Sequence, residues 1–342
     1  MFRFNRWPHG LIGLMLVALL LISLPGITLA GTFSVTYLRQ WGSTGSGNGQ
    51  FNATHAVGFN PVYHYVYVAD EANHRLQYFD ANGQYVGQWG GYGSGNGEFI
   101  SPGGIAVSAD GSKVYVVERD NHRVQYFTAT GLFLGKWGGT AGSGNGQLNQ
   151  PAGVAVAGDN TVYVADRGNN RIQHFSATGD YLGQFGLGGS ADGRFSSPMG
   201  IAIGANNLLY VADAGNYRVQ YFSANGDFLG KWGSKGSDDA QFNGYDPSPT
   251  GIARGPDGSI MVADSGQNYL KVFGPTGQFL GKWGGYGSGN GQFYFPNNAV
   301  TGLTNTVYIG DELNNRVQAF TLITGLDQVN LNQKVYLPFI LK

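Results

Sequence analysis

Val-Tyr-Val-Ala-Asp-Glu-Ala-Asn-His-Arg-Leu-Gln-Tyr-Phe, residues 66–79, decides the fold, because the chain repeats it six times in variant form. The other copies are Val114–Phe127, Val162–Phe175, Leu209–Phe222, Ile260–Phe273 and Val307–Phe320. Each carries one acidic anchor: Asp70, Glu118, Asp166, Asp213, Asp264 and Asp311. Subtracting successive positions gives steps of 48, 48, 47, 51 and 47 residues. A constant period of that length, with several short strands per unit, marks a propeller or a solenoid.

Working outward from the phrase, the unit Phe99–Gly138 divides into four strands. Gly104–Val107 is a short strand of small residues, and Asp110-Gly111 is a hairpin turn signal. Lys113–Glu118 and Arg123–Phe127 are the two middle strands. Leu132–Trp137 is the fourth, followed by the glycine-rich run 138–146. Four antiparallel strands per unit make one propeller blade. The small first strand suits the crowded position nearest the axis.

The fourth strand recurs at 84–90, 132–138, 180–186, 227–233 and 278–284, and a sixth copy, Thr36–Gly42, precedes the first unit. Nothing of the kind follows Phe320. The expectation is therefore an all-β, six-bladed β-propeller of four antiparallel strands per blade, closed by the N-terminal strand. Thr36–Gly42 would pair with Arg316–Phe320, leaving no gap in the ring. The competing choice for that place is Leu326–Leu331, which lacks the Trp-Gly.

Composition agrees. Of 342 residues, 42% are hydrophobic and 58 are Gly, which suits strands joined by tight turns and excludes disorder. Only 12% are charged, the net charge is −1, and no run of like charge speaks for nucleic acid or an anionic membrane. The chain has no Cys. That excludes disulfides, thiolate catalysis and Cys-ligated zinc or iron–sulfur centres.

The N-terminus reads as a secretory signal: Arg3 and Arg6, then the apolar stretch Leu11–Leu24, then Pro25-Gly26 and small residues before a cut after Ala30. The apolar run is short for a membrane span. The expected organisation is a signal peptide at 1–30, a propeller at 31–320 and a tail at 321–342, in a monomer that is secreted or extracytoplasmic, free or associated with the cell surface. Loss of Arg3 and Arg6 would leave 18 basic against 21 acidic side chains, a charge of −3. The tail holds an apolar run, Val335–Leu341, that either docks on the disc or serves as a retention element.

Three sets of residues compete for a role. Asp70 with Arg75, Glu118 with Arg123, Asp166 with Arg171, Asp213 with Arg218 and Asp311 with Arg316 close the same turn in five blades. An active site needs one asymmetric constellation, so these read as structural repeat pairs. Trp41, Trp89, Trp137, Trp232 and Trp283, with Phe185 in the odd blade, could stack on a carbohydrate. Recurrence in every blade favours packing of blade on blade. The glycine-rich runs 90–97, 138–146 and 284–291 lack the Lys-Ser/Thr and the helix of a phosphate loop, and read as flexible connections.

The third set lies at the channel mouth. His55 stands where the other units have Gly103, Ala152, Met199, Thr250 and Asn297, at the start of the innermost strand. His55, Met199, Thr250 and Asn297, with Arg254 further along its strand, form the candidate ligand-binding site. No catalytic or metal residue and no cofactor is expected, since one His falls short of the three convergent ligands of a zinc site.

The triplets Asn73-His74-Arg75 and Asn121-His122-Arg123, with Gly-Ser-Gly-Asn-Gly-Gln-Phe and Val-Tyr-Val-Ala-Asp, resemble the NHL-repeat family over Thr36–Phe320. The resemblance implies a six-bladed propeller used as a binding disc. Three functions are compatible with it. The first is an exported, non-catalytic binding or scaffold propeller with a protein, peptide or glycan partner. The second is a metal-assisted lyase or lactone hydrolase at the channel mouth, where His55, Arg254 and Asn297 would be tested. The third is RNA binding as in tripartite-motif proteins, which the acidic balance disfavours. The fifth unit departs from the pattern: Gln267-Asn268-Tyr269 replaces Asn-x-Arg, and 243–248 carries extra residues.

Overall fold

The structure, a computed structural model, describes residues 33–204, 207–244 and 248–325. The expected signal at 1–30, residues 326–342 of the tail and residues 245–247 of the fifth-unit insertion lie outside the described residues.

The chain opens with β1 (Ser34–Trp41). Blade 1 follows as β2 (Thr54–Phe59), β3 (Val66–Asp70), β4 (Arg75–Phe79) and β5 (Tyr85–Gly90). Blade 2 is β6 (Pro102–Val107), β7 (Val114–Glu118), β8 (Arg123–Phe127) and β9 (Phe133–Gly138). Blade 3 is β10 (Val154–Val156), β11 (Val162–Asp166), β12 (Arg171–Phe175) and β13 (Tyr181–Phe185). Blade 4 is β14 (Pro198–Ile203), β15 (Leu209–Asp213), β16 (Arg218–Phe222) and β17 (Phe228–Trp232). Blade 5 is β18 (Ile252–Arg254), β19 (Ile260–Asp264), β20 (Tyr269–Phe273) and β21 (Phe279–Gly284). Blade 6 is β22 (Pro296–Thr301), β23 (Thr306–Asp311) and β24 (Arg316–Ile323), completed by β1.

Closure is as expected. β1 pairs antiparallel with β24 from Ser34↔Ile323 to Trp41↔Val317. The last strand runs three residues past Phe320, so the sheet uses the start of the segment read as tail. Arg39 then reaches the neighbouring blade, its guanidinium donating to the Ala81 carbonyl at 2.7 Å.

The inner strands are small because they nearly touch. A Cβ added to Gly153 would lie 2.3 Å from the Met199 carbonyl oxygen, and one on Gly251 would lie 2.2 Å from that of Asn297. Adjacent blades exchange main-chain bonds there, such as Gly200 N–H to Thr250 O at 2.8 Å.

Six apolar clusters fill the spaces between blades, each drawing on two neighbours. The recurring aromatic of the outer strand packs on the Phe of the next blade's third strand, which answers the choice between packing and carbohydrate. Ring centroids are 5.8 Å apart for Trp41–Phe79, 5.7 Å for Trp89–Phe127 and 5.3 Å for Trp137–Phe175. Phe185–Phe222, Trp232–Phe273 and Trp283–Phe320 complete the circle at 5.1, 5.6 and 5.9 Å. Offset and edge contacts of this kind add to the burial of each ring. The other face of Trp89 is covered by Gly131, at φ 93°, where a Cβ would meet the indole at 2.6 Å.

Candidate functional site

The repeated polar motif forms a clamp, and the clamp explains why it repeats. In blade 1 the buried Asp70 carboxylate accepts from Arg75 Nε at 2.7 Å and from Asn73 Nδ2 at 2.9 Å. It also accepts the Asn52 N–H at 2.7 Å. Arg75 in turn donates to the carbonyls of Gly47 and Gln50, and Gln77 donates to Gln50 O and accepts from Gly49 N–H. The same net recurs around Glu118, Asp166, Asp213 and Asp311, with Arg Nε to carboxylate distances of 2.5–2.7 Å. The glycine-rich connections are therefore not the loose linkers their composition suggests. Outside blade 5, each is tied at several carbonyls by the Asn, Arg and Gln of the blade it enters, and a main-chain bridge such as Tyr92↔Phe99 pins its neck.

Blade 5 keeps the clamp with different residues. Lys271, at the position where the other blades have Gln, is fully buried, and its Nζ lies 2.8 Å from Asp264 Oδ2. The same ammonium donates to the carbonyls of Asp238 and Gln241. Ser248 supplies a further bond to Asp264 Oδ1 at 2.8 Å. The missing Arg is thus replaced two residues downstream, and Asp264 is not left without a cation.

In five blades the turn residue just before the third strand also has a use. His74 sits at φ 55°, and its Nδ1 accepts the Ser101 N–H of the next blade at 3.3 Å. His122 does the same for Gln150 at 3.0 Å, and Asn170, Asn268 and Asn315 use their side-chain oxygens. A residue that tolerates a left-handed backbone and carries an acceptor fits this place.

With the repeated groups spent on structure, the pore mouth stands out. All six inner strands start there, and His55, Ala152, Met199, Thr250 and Asn297 line one hollow. Arg254 does not join them: it sits at the far end of β18, exposed, in a separate groove with Pro256 and Thr301. A strand running parallel to the axis carries its last residue to the opposite mouth. Thr250 is buried and bonded to Ser265 Oγ at 2.8 Å, so its hydroxyl is already engaged.

A second ring surrounds the first, and the sequence reading passed over it. The residue after each anchor carboxylate is Glu71, Arg119, Arg167, Ala214, Ser265 and Glu312 in blades 1 to 6. Glu71 and Arg119 meet at 3.2 Å, and Arg119 also holds Asp120 at 3.2 Å. Glu312 accepts from Asn297 Nδ2 at 2.6 Å. Burial pushes its carboxyl above the ordinary glutamate range, with His55 and the Asn297 bond pulling the other way. Arg167 lines the hollow with His55 and Met199, and its guanidinium has no hydrogen-bond or ion-pair partner among the described residues. His55 Nδ1 is buried without a partner. Among the described residues no three His, Asp or Glu side chains converge so as to hold a metal ion.

Six four-stranded sheets around a narrow pore define a six-bladed β-propeller, and residues 59–136 match a family model described as a 6-bladed beta-propeller. Residues 148–175 and 195–222 match the NHL repeat model, so two stretches of this six-bladed propeller carry NHL repeats. No curated protein matches the chain in sequence. Similar solved structures include a virginiamycin B lyase from Staphylococcus aureus, 15% identical, with TM-score 0.54 over 85% of this chain and 100% of that one. A gluconolactonase from Xanthomonas campestris is 15% identical, with TM-score 0.59 over 85% and 90%. A protein of unknown function from Bacteroides thetaiotaomicron is 16% identical, with TM-score 0.66 over 85% and 76%. At these identities the likeness is one of fold.

Proposed function

We propose that this is an exported, non-catalytic binding propeller whose ligand or partner engages the pore-mouth face. The observation that carries the reading is the uneven ring Glu71, Arg119, Arg167 and Glu312. It is polar, sits on a concave face, and is not consumed by the clamps that occupy the repeated Asp, Asn, Arg and Gln. Concave sites with a few convergent polar groups are the usual places for ligands on such scaffolds. Arg3, Arg6 and the apolar run Leu11–Leu24 support export. No helix of the described residues is long and apolar enough to cross a membrane.

The lyase or lactone-hydrolase reading draws support from the names of the similar structures, but the donor set at the mouth does not favour it. Among the described residues His55 has no second His beside it, and the nearby carboxylates are engaged by Arg119 and Asn297. RNA is disfavoured by a net charge of −1.

Equilibrium dialysis against a mixture of metabolites, peptides and oligosaccharides, read by mass spectrometry, separates the readings. Binding predicts a compound retained unchanged. A compound consumed by the protein, with consumption lost on His55→Ala, overturns it. Cell fractionation with N-terminal sequencing checks export, which a cytoplasmic protein retaining Met1–Ala30 would refute.

A further inference from the structure

The ring at the pore mouth has a polarity that the blade order imposes. Neighbouring blades follow the chain, and blade 6 packs on blade 1. Blades 3 and 6 are therefore diametrically opposed across the axis, which puts Arg167 and Glu312 at opposite positions of the ring. Glu312 and Glu71 lie on the side of blades 6 and 1, Arg119 and Arg167 on the side of blades 2 and 3 with Asp120 beside Arg119, and the small Ala214 and Ser265 leave blades 4 and 5 uncharged. Arg119 is shared between Glu71 and Asp120, so the ring charges without an ion-pair partner among the described residues are those at the two ends of this diameter, Arg167 and Glu312.

The pore itself is too narrow for a ligand of any length. Each of its two hollows offers about 30 Å³, room for roughly two waters at the ~10–15 Å³ that one requires. A larger molecule must lie across the rim, over the hollow, in contact with both sides. Two arginines against the three carboxylates Glu71, Asp120 and Glu312 leave the rim one charge negative, which opposes a phosphate or any other polyanion. A molecule with one positive and one negative end suits both the local charges and the sum.

We propose that the pore mouth binds a zwitterion of the amino-carboxylate class, lying across the axis with its carboxylate on Arg167 and its ammonium group toward Glu312. Arg167 offers a planar fork to the carboxylate without first giving up another partner. His55 lines the hollow beneath the rim, where the bound molecule crosses it. An arriving ammonium also favours the ionised form of Glu312, whose desolvation the protein otherwise leaves only partly compensated. This inference rests on the binding reading above and adds the ligand's chemistry to it.

The test is calorimetric titration of the purified protein with straight-chain ω-amino acids of increasing length. The α,ω-diamines and α,ω-dicarboxylates of matching length serve as controls. One length is expected to bind saturably, at least about tenfold tighter than either control, the scale of one charge-assisted bond. Arg167→Gln should remove the advantage over the diamine, and Glu312→Gln the advantage over the dicarboxylate. Unfolding midpoints of both variants confirm that the fold is kept. The proposal is overturned if no member of the series binds at millimolar concentration, if the controls bind as well, or if the two variants lose affinity without their separate changes in preference. These results leave the dialysis experiment standing, and turnover of a compound there would end the binding reading while leaving the charge preference intact.

Discussion

Replacing Lys271 by Met removes the cation paired with Asp264, both groups being fully buried. Asp264 would keep the Ser248 hydroxyl but lose an ammonium at 2.8 Å. Stranding one member of a buried ion pair costs about 3–5 kcal/mol. In a domain of this size that is a fall of roughly 5–10 °C in the unfolding midpoint. Rescue distinguishes the specific pair from general damage. Lys271→Gln restores the residue found at Gln77, Gln125, Gln173, Gln220 and Gln318 but leaves no cation, so it should lose nearly as much as Met. Tyr269→Arg alone adds a second cation beside the first and should also destabilise. Together they rebuild the clamp of blades 2 and 4, where a Lys likewise stands opposite on the outer strand, and should come within about 1 kcal/mol of the parent, a strong coupling for neighbouring sites. Calorimetric or denaturant unfolding of the parent and the four variants is the assay. The reasoning fails if Lys271→Met is neutral, or if the double variant is no better than Lys271→Gln alone.

Three further outcomes are expected. Burial lowers the His174 pKa below its ordinary 6.5, so the unfolded chain binds more protons as pH falls through that value; stability should drop from neutral pH toward pH 5, and His174→Tyr, the residue of Tyr78 and Tyr126, should flatten that slope in unfolding measured against pH. Gly131→Ala and Gly139→Ala both meet positive φ, but only the first drives a Cβ into Trp89; its loss in chemical denaturation should exceed the roughly 1–2 kcal/mol of backbone strain expected for Gly139→Ala. Deleting residues 33–42 leaves β24 as a bare edge, and size-exclusion chromatography should show self-association; a monomer with an unchanged midpoint would contradict the closure.

Much of the architecture was legible because it is periodic. The spacing of the anchors counts blades, and Trp41-Gly42 ahead of the first unit identifies the closing strand, since nothing after Phe320 carries that pair. The recurring aromatics were readable as blade-to-blade contacts for the same reason. What escaped was non-periodic or depended on direction. Arg254 was placed at the mouth from its strand alone, whereas three residues along β18 carry it to the other end of the pore. Lys271 is hard to read from the sequence because it stands two residues beyond the position that carries the Arg in the other blades. The glycine-rich runs looked loose because their restraints are side chains some 25 residues away, such as Arg75 on Gln50. Glu71, Arg119, Arg167 and Glu312 occupy a place written as variable in the motif. The signal was present all the same: one position changes charge from unit to unit while its neighbours hold constant.

The sheet that unites β1 with β24 joins residues separated by most of the polypeptide, as in the bond from Arg316 to Gln40, 276 positions apart. On the ribosome β1 is made early and stays unpartnered until β24 is complete. Five blades have every strand they need before that moment, while the sixth waits with an unfilled groove beside Tyr308 and Val317. Assembly of the disc is therefore limited by its longest-range pairing, and a chain arrested anywhere before Arg316 presents an incomplete annulus to the quality-control machinery that meets it.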